Sequence, residues 1–391
     1  MNRHLIQRVI LDYINPTPAK FNDLKFLIRD SELDILISEK FPLNSFDLES
    51  KLLINGSKDL IMNFETVDED KMDIIEELKN IEYIGFSEDE IILRIKSELF
   101  EENATAVYNF TNDFFESVFN MGKFSKYCIS NAYYELLKEN ITYLTKRNPS
   151  LKRQYRLIYK NNVWFLRGIT STRYNNYDNH LAIYLTLISL HKYSLINNTE
   201  FNIEKAYLTD SEIHIFFEQP RPIKLSNSVE IYFGFYLSNS EIREAAFSLE
   251  LRYKVINEHG KQFSGLSNYV FNINHSTSIK NIEEKLFFSD RINEIIERVV
   301  QLIISISNQK LTENQIYLIF KRILSLNHKL SKETRENANN YQDTNIINNS
   351  LTIIEAYDKL NEITTDVDEI IYLERIYDEL LKDIIIKKRR K

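Results

Sequence analysis

Apolar positions in the first 120 residues come in short runs separated by acids and amides. Leu5, Ile6, Val9, Ile10 and Tyr13 fall at helical spacing and Asn15-Pro16 closes the segment, so a helix is expected over 3–14. Leu24, Phe26, Leu27 and Ile28 form one brief apolar run, and 72–78 and 91–99 read as short amphipathic segments. Two helices are expected across 104–144, broken near Met121-Gly122. From residue 150 the period shifts toward two. Segments 155–160 and 163–168 flank Asn161-Asn162, and Asn tolerates the positive φ of a two-residue hairpin turn. Segments 203–208 and 213–217 flank Thr209-Asp210-Ser211 in the same way. Further strands, rich in aromatic and β-branched residues, are expected at 229–237, 247–256 and 269–273. Between them, 181–196 is apolar around most of a helical circumference, which implies a buried helix.

Beyond residue 276 the pattern returns to helix, over 279–306 and 313–326. A polar, Asn-rich stretch at 331–349 reads as a linker. Two helices follow at 351–363 and 367–386, the second with Ile370, Leu373, Ile376 and Leu380 at heptad-like spacing. That stripe suits packing on the body or on a second copy, and it predicts at least a dimer. The expected fold is α+β: a central, largely antiparallel sheet over 150–275, flanked by mostly helical N- and C-terminal regions. The organisation that follows is an acidic, mostly helical region at 1–145, a core domain with a basic hairpin at 146–310, and a helical region at 311–391.

Composition narrows the classes. The chain has 391 residues, 43% apolar and 27% charged, which excludes wholesale disorder and is long enough for two to three domains. One cysteine, Cys128, excludes a disulfide framework and a multi-cysteine metal site. Neither a signal-peptide core nor an apolar run of membrane-spanning length is present, so a soluble cytoplasmic protein without a membrane partner is expected. The seven histidines make no HxH, HExxH or HxxxH spacing, and the phosphate-loop, dinucleotide and nucleophile-elbow fingerprints are missing. No cofactor, metal ligand or catalytic residue is therefore assigned. Glu283-Glu284-Lys285 contains the ExK triplet of some metal-dependent nucleases, but it falls in an expected helix.

Charge changes the picture most. The formal net is −8, yet it is unevenly spread. Between Glu65 and Glu102 fourteen acids meet four bases, whereas eight bases and no acid lie between Lys146 and Arg173. Within that second stretch, basic residues interleave with Tyr155, Tyr159, Trp164, Phe165, Tyr174 and Tyr177, a mixture used by sheets that stack bases and hold phosphates. With Asn161-Asn162 as the turn, Lys160 pairs Val163, Ile158 pairs Phe165 and Arg156 pairs Arg167 on one face. Tyr155, Leu157, Tyr159, Trp164 and Leu166 form the opposite, core-facing side. Like charges directly opposed are unfavourable, so Arg156 and Arg167 require either a carboxylate from elsewhere in the chain or an external anion.

Three segments resemble the phage- and plasmid-borne family called domain of unknown function 932, over about residues 155–299. The first is Arg167-Gly168-Ile169-Thr170-Ser171-Thr172-Arg173-Tyr174 with Tyr177-Asp178-Asn179. The second is the strand pair at 206–217, and the third is Leu237-Ser238-Asn239-Ser240-Glu241-Ile242. Arg243 stands where the family usually has Gly, and its later Cys-x-Asn-Gly is replaced by Val255-Ile256-Asn257-Glu258-His259-Gly260. The resemblance implies the company of prophages, plasmids and phage–host conflict and implies no reaction. Three functions remain open: a non-catalytic binder of single- or double-stranded nucleic acid, an oligomeric protein-interaction subunit whose basic segment meets its own acidic region, and a metal-dependent nuclease with an unrecognised site. Under the first, Arg153, Arg156, Lys160, Arg167 and Arg173 hold phosphates and Tyr174 and Tyr177 stack on bases. Asn239 and Glu241 then form a polar rim, or else simply cap their turn.

Overall fold

A computed structural model describes residues 8–12, 15–98, 100–225, 229–242, 246–286, 289–306, 310–326, 328–345 and 352–389. In chain order the elements are β1 (Val9–Leu11), α1 (Glu32–Lys40), β2 (Ile54–Asn55), α2 (Ser57–Val67), β3 (Lys71–Glu77), β4 (Ile81–Ser87), β5 (Glu90–Lys96), β6 (Glu101–Ala106), α3 (Phe110–Phe119), α4 (Gly122–Ser130) and α5 (Tyr134–Arg147). There follow β7 (Lys152–Lys160), β8 (Val163–Thr170), α6 (Asn179–Asn197), β9 (Phe201–Leu208), β10 (Glu212–Glu218), β11 (Ile223–Lys224), β12 (Glu230–Ser240), β13 (Phe247–Ile256) and β14 (Gln262–Ile273). The chain closes with α7 (Ile279–Leu286), α8 (Ser289–Ile306), α9 (Glu313–Leu324), α10 (Lys332–Asn345), α11 (Ile353–Leu360) and α12 (Val367–Arg389). The fold is α+β.

The strands divide into two sheets rather than the single central one expected. The first runs β1-β9-β10-β12-β13-β14, with β11 beside β12 and β2 beside β9. It is antiparallel except where β2 meets β9. The second runs β3-β7-β8-β6-β5-β4, parallel only between β6 and β8. The basic hairpin β7–β8 thus pairs with strands from 71–106, and a boundary at 145/146 falls inside this second sheet. The acidic N-terminal region therefore supplies four strands of this sheet, β3 to β6, in addition to its helices. Its strands are visible in hindsight at Ile91, Leu93 and Ile95, buried at a period of two while Ile92, Arg94 and Lys96 face outward. The expected helix over 3–14 is also corrected: Val9–Leu11 is a strand paired with 206–208, and residues 1–7 and 13–14 lie outside the described set.

As far as Ser194 α6 is buried on nearly every side, as its all-round apolar pattern implies, while Leu195 and Ile196 are exposed; it packs between β12 of the first sheet and the N-terminal segment. Tyr184 donates its hydroxyl to the Phe41 carbonyl at 2.6 Å, tying the helix to the N-terminal segment. The C-terminal helices dock on the far side of the first sheet. Tyr357 on α11 stacks on Tyr377 of α12 with ring centres 4.2 Å apart, both rings meeting Phe263 of β14. Ion pairs Arg252–Glu374 and Arg375–Glu250 fix the same contact. The apolar stripe that suggested a dimer is spent on the chain's own body, with Leu373, Ile376, Tyr377 and Leu381 in the main core. The stretch at 331–349 is helical as far as Asn345 rather than a linker, and 346–349 lie outside the described residues. Among the described residues no helix is long and apolar enough to cross a membrane.

Candidate functional site

The hairpin forms as its sequence dictates. Asn161 and Asn162 adopt φ of 53° and 62°, the pair of left-handed residues that a tight two-residue turn between twisted strands needs. From the turn the register is Lys160–Val163, Tyr159–Trp164, Ile158–Phe165 and Leu157–Leu166, as expected. A bulge between Arg156 and Leu157 then shifts it, so Arg156 lies opposite Gly168 and not Arg167. The Arg156 stem crosses the space above Gly168, 3.8 Å from where a Cβ would stand. One face of the hairpin, with Tyr155, Leu157, Leu166 and Ile169, buries in the core of the second sheet, and Trp164 packs against it.

The other face does not meet solvent. Arg156 and Arg167 are fully buried between the hairpin, the start of α6 and the end of β12. Arg156 donates through Nε to Asp73 Oδ1 at 2.9 Å, through Nη2 to Asp178 Oδ2 at 2.5 Å, and through Nη1 to the Glu241 carbonyl at 2.7 Å. Arg167 donates through Nη1 to Glu241 Oε2, and its Nη2 stands 3.6 Å from Asp178 Oδ2. Lys71, opposite Ile158 on β3, brings its ammonium 2.9 Å from Glu241 Oε2 and 2.9 Å from Asp68 Oδ1. Arg29 closes the outer end through Asp68. Glu241 Oε1 accepts the Asn179 amide at 2.9 Å, which places a carboxylate on the N-terminus of α6. Asn239 donates to the Tyr177 carbonyl and to Asn179 Oδ1, at 3.0 and 2.9 Å, and holds the same helix start.

Three cations and three carboxylates therefore neutralise one another inside the protein. Burial alone would raise the Glu241 carboxyl, but the charges of Lys71, Arg167 and Arg156 outweigh it and hold it well below the usual range. Asp73 behaves likewise: burial raises it, and Arg156 and Arg167 bring it below the ordinary value. Lys71 goes down, because burial and the nearby Arg167 exceed what Glu241 and Asp178 return. Arg156 remains charged at any accessible pH, its burial overcome by Asp178 and Asp73. Such a cluster costs desolvation, which the opposed charges offset, and it links the two sheets as a clamp even though Arg167 Nε and Asp178 Oδ1 find no hydrogen-bond partner among the described residues.

These placements correct the expected phosphate clamp. Arg156, Arg167, Tyr177, Asn239 and Glu241 are interior residues and reach no external ligand. Tyr177 donates to the Thr277 carbonyl at 2.6 Å, and burial pushes its hydroxyl up to about 12. Tyr174 is half-buried and stacks face to face on His275, ring centres 4.5 Å apart. Arg153 is half-buried and donates to the Ser117 carbonyl at 2.9 Å. Lys160 sits at the hairpin turn, at the opposite end from Arg153, and Arg173 is exposed in the loop after β8. The geometry thus gathers Arg156, Arg167, Asn239 and Glu241 into one place and scatters the remaining cations.

Sequence reasoning gave no role to Lys71 and Asp73, and it noted Asp178 only within the segment that carries the family resemblance. Asp178 carried a signal, an acid immediately before an apolar helix, which is the pattern of an N-terminal cap. Lys71 and Asp73 carried none, because only the pairing of β3 with β7 brings them to the hairpin. It also passed over α4 and α5, where Lys123, Lys126, Lys138, Lys146 and Arg147 are exposed together with Phe124, Tyr127, Tyr133, Leu136 and Tyr143. Glu283 of the ExK triplet lies on α7 and pairs with Lys40 at 3.2 Å. Compared with known proteins, the chain matches no family model, no curated protein and no solved structure.

Proposed function

We propose that the protein is a non-catalytic, cytoplasmic nucleic-acid-binding protein that acts for a mobile element or in phage–host conflict, and that its binding surface is α4–α5 and the start of β7. One observation carries the reading. Between residues 122 and 152 an acidic chain exposes six cations against two carboxylates, Glu135 and Glu139. Lys123, Lys126, Lys146 and Arg147 have no carboxylate partner among the described residues, while Lys138 and Lys152 stand only 3.9 and 3.8 Å from Glu135 and Glu77. An unneutralised cationic surface on a molecule of net −8 is a local anion site, because the rest of the molecule repels polyanions. The mobile-element setting rests on the likeness of 167–179 and 237–242 to domain of unknown function 932.

Fluorescence anisotropy with labelled oligonucleotides tests the proposal. Three or four phosphate contacts give a fall of log affinity with log salt at a slope of about −2 to −3 for a single strand. Replacement of Lys146 and Arg147 by Gln should weaken binding with little change in melting temperature, since both side chains are exposed and the change only removes their small contribution to the last turn of α5. Absence of binding at low salt would favour the protein-interaction reading, which the exposed apolar side chains Phe124 and Leu136 on the same surface support.

A further inference from the structure

The cations of α4–α5 frame a second feature that phosphate binding alone does not use. Tyr127 at the end of α4 and Tyr133 just before α5 leave 58% and 47% of their surface open, with ring centres 5.9 Å apart. Along α5 the exposed positions Leu136, Tyr143 and Arg147 continue from Tyr133 at helical spacing, flanking the buried stripe of Leu137 and Ile141. Tyr143 is 59% exposed, and the Arg147 guanidinium stands 5.4 Å from its ring centre while donating to its hydroxyl at 3.0 Å. A soluble fold normally turns such rings inward. Here Tyr133 and Tyr143 stand ten residues apart, about 15 Å along the helix, with Lys146, Arg147 and the carboxylate of Glu139 as exposed neighbours of Tyr143.

We propose that these rings form a base-stacking platform, so that the ligand on α4–α5 is a single-stranded nucleic acid bound with little regard to sequence. The inference rests on the nucleic-acid reading above and names the form of the ligand. Every base offers a π-face, and an exposed tyrosine can reach that face only where the base is unstacked, as in a single strand. Phosphates between the stacked bases then lie within reach of Lys123, Lys126, Lys146 and Arg147, which are not otherwise neutralised among the described residues. Charge complementarity chooses this occupant over a protein partner: a polypeptide would need a dense run of acids to meet the same surface.

The test uses the full chain with three probes: a labelled oligothymidylate of about 20 nucleotides, a duplex of equal length, and vesicles of phosphatidylcholine with phosphatidylserine. The single strand should bind at least about 10-fold more tightly than the duplex, and Tyr127→Ala with Tyr133→Ala should remove most of that preference. Melting temperature should not change in this variant. Tyr143→Phe should bind like the parent, because stacking does not need the hydroxyl, whereas Tyr143→Ala should lose about 10-fold. Equal affinity for strand and duplex, unaltered by the alanine pair, would overturn the platform and leave the nucleic-acid reading standing. Binding to neither oligonucleotide at low salt would remove both, and vesicle binding in that case would reassign the surface to an anionic membrane.

Discussion

Removal of the Glu241 carboxylate would leave Lys71 and Arg167 inside the protein without their shared counter-ion. A buried pair broken from one side costs about 3–5 kcal/mol, more than a new apolar contact returns, so Glu241→Ala should lower the free energy of unfolding measured by urea titration by that amount. Glu241→Gln should cost less, because an amide oxygen still accepts from Asn179. Arg156→Glu combined with Arg167→Glu should be worse than either, since it adds two acids to a site that holds Asp73 and Asp178. A double variant that melts like the parent would place these arginines outside the fold after all. Single residues also show where backbone leaves no room. A Cβ on Gly234 would stand 1.9 Å from the Phe217 carbonyl oxygen of the neighbouring strand. Gly234→Ala must push β10 and β12 apart and should cost about 1–3 kcal/mol, as overpacking does, measured by thermal unfolding.

At the scale of elements, much was legible. The two-residue turn at Asn161-Asn162, the buried α6 and the β9–β10 hairpin all follow from local pattern, because turn chemistry and periodicity act within a few residues. The core face of the basic hairpin was legible for the same reason. Trp164 packs edge-on against Phe100 at 5.6 Å and beside Tyr159 at 4.9 Å, so Trp164→Ala should cost about 3 kcal/mol, toward the low end for aromatic truncation because the indole is half-buried. Loss of ligand without loss of stability in this variant would mean that the aromatic side is the binding surface. What was not legible is which elements meet. Alternation tells a strand its faces, but β3 finds β7 across about eighty residues of chain, and the bulge at Arg156 sets its partner. An arginine pair awaiting an acid and one awaiting a phosphate look identical until that pairing is known. The same limit hid the platform: the sequence predicts helices over 104–144, but only the burial of Leu137 and Ile141 shows which of their positions stay exposed.

For the molecule as a whole, the clamp couples two sheets with separate cores, and pH is the lever on it. Glu241 and Asp73 have folded values below their ordinary ones, so they bind protons less readily when folded than when unfolded. Their contribution is complete above the ordinary carboxylate range and is lost as the pH falls through the lowered folded values. Lys71 does not offset this loss: its value is lowered too, so its buried charge is a cost at every pH where it is protonated, and it deepens once Glu241 is neutral. The chain's one tryptophan, Trp164, packs half-buried against the core of the second sheet and reports on that sheet, whereas far-ultraviolet circular dichroism sees both. At neutral pH the two signals should melt together, because the clamp makes one cooperative unit of the two sheets. As the pH falls below the ordinary carboxylate range and through the lowered folded values of Glu241 and Asp73, the curves should separate, the tryptophan transition moving away from the dichroism midpoint. Glu241→Gln should show that separation already at neutral pH and a shallower dependence on acid. Curves that coincide at every pH in parent and variant would mean that the apolar contacts alone join the sheets and that the buried charges serve only to position α6.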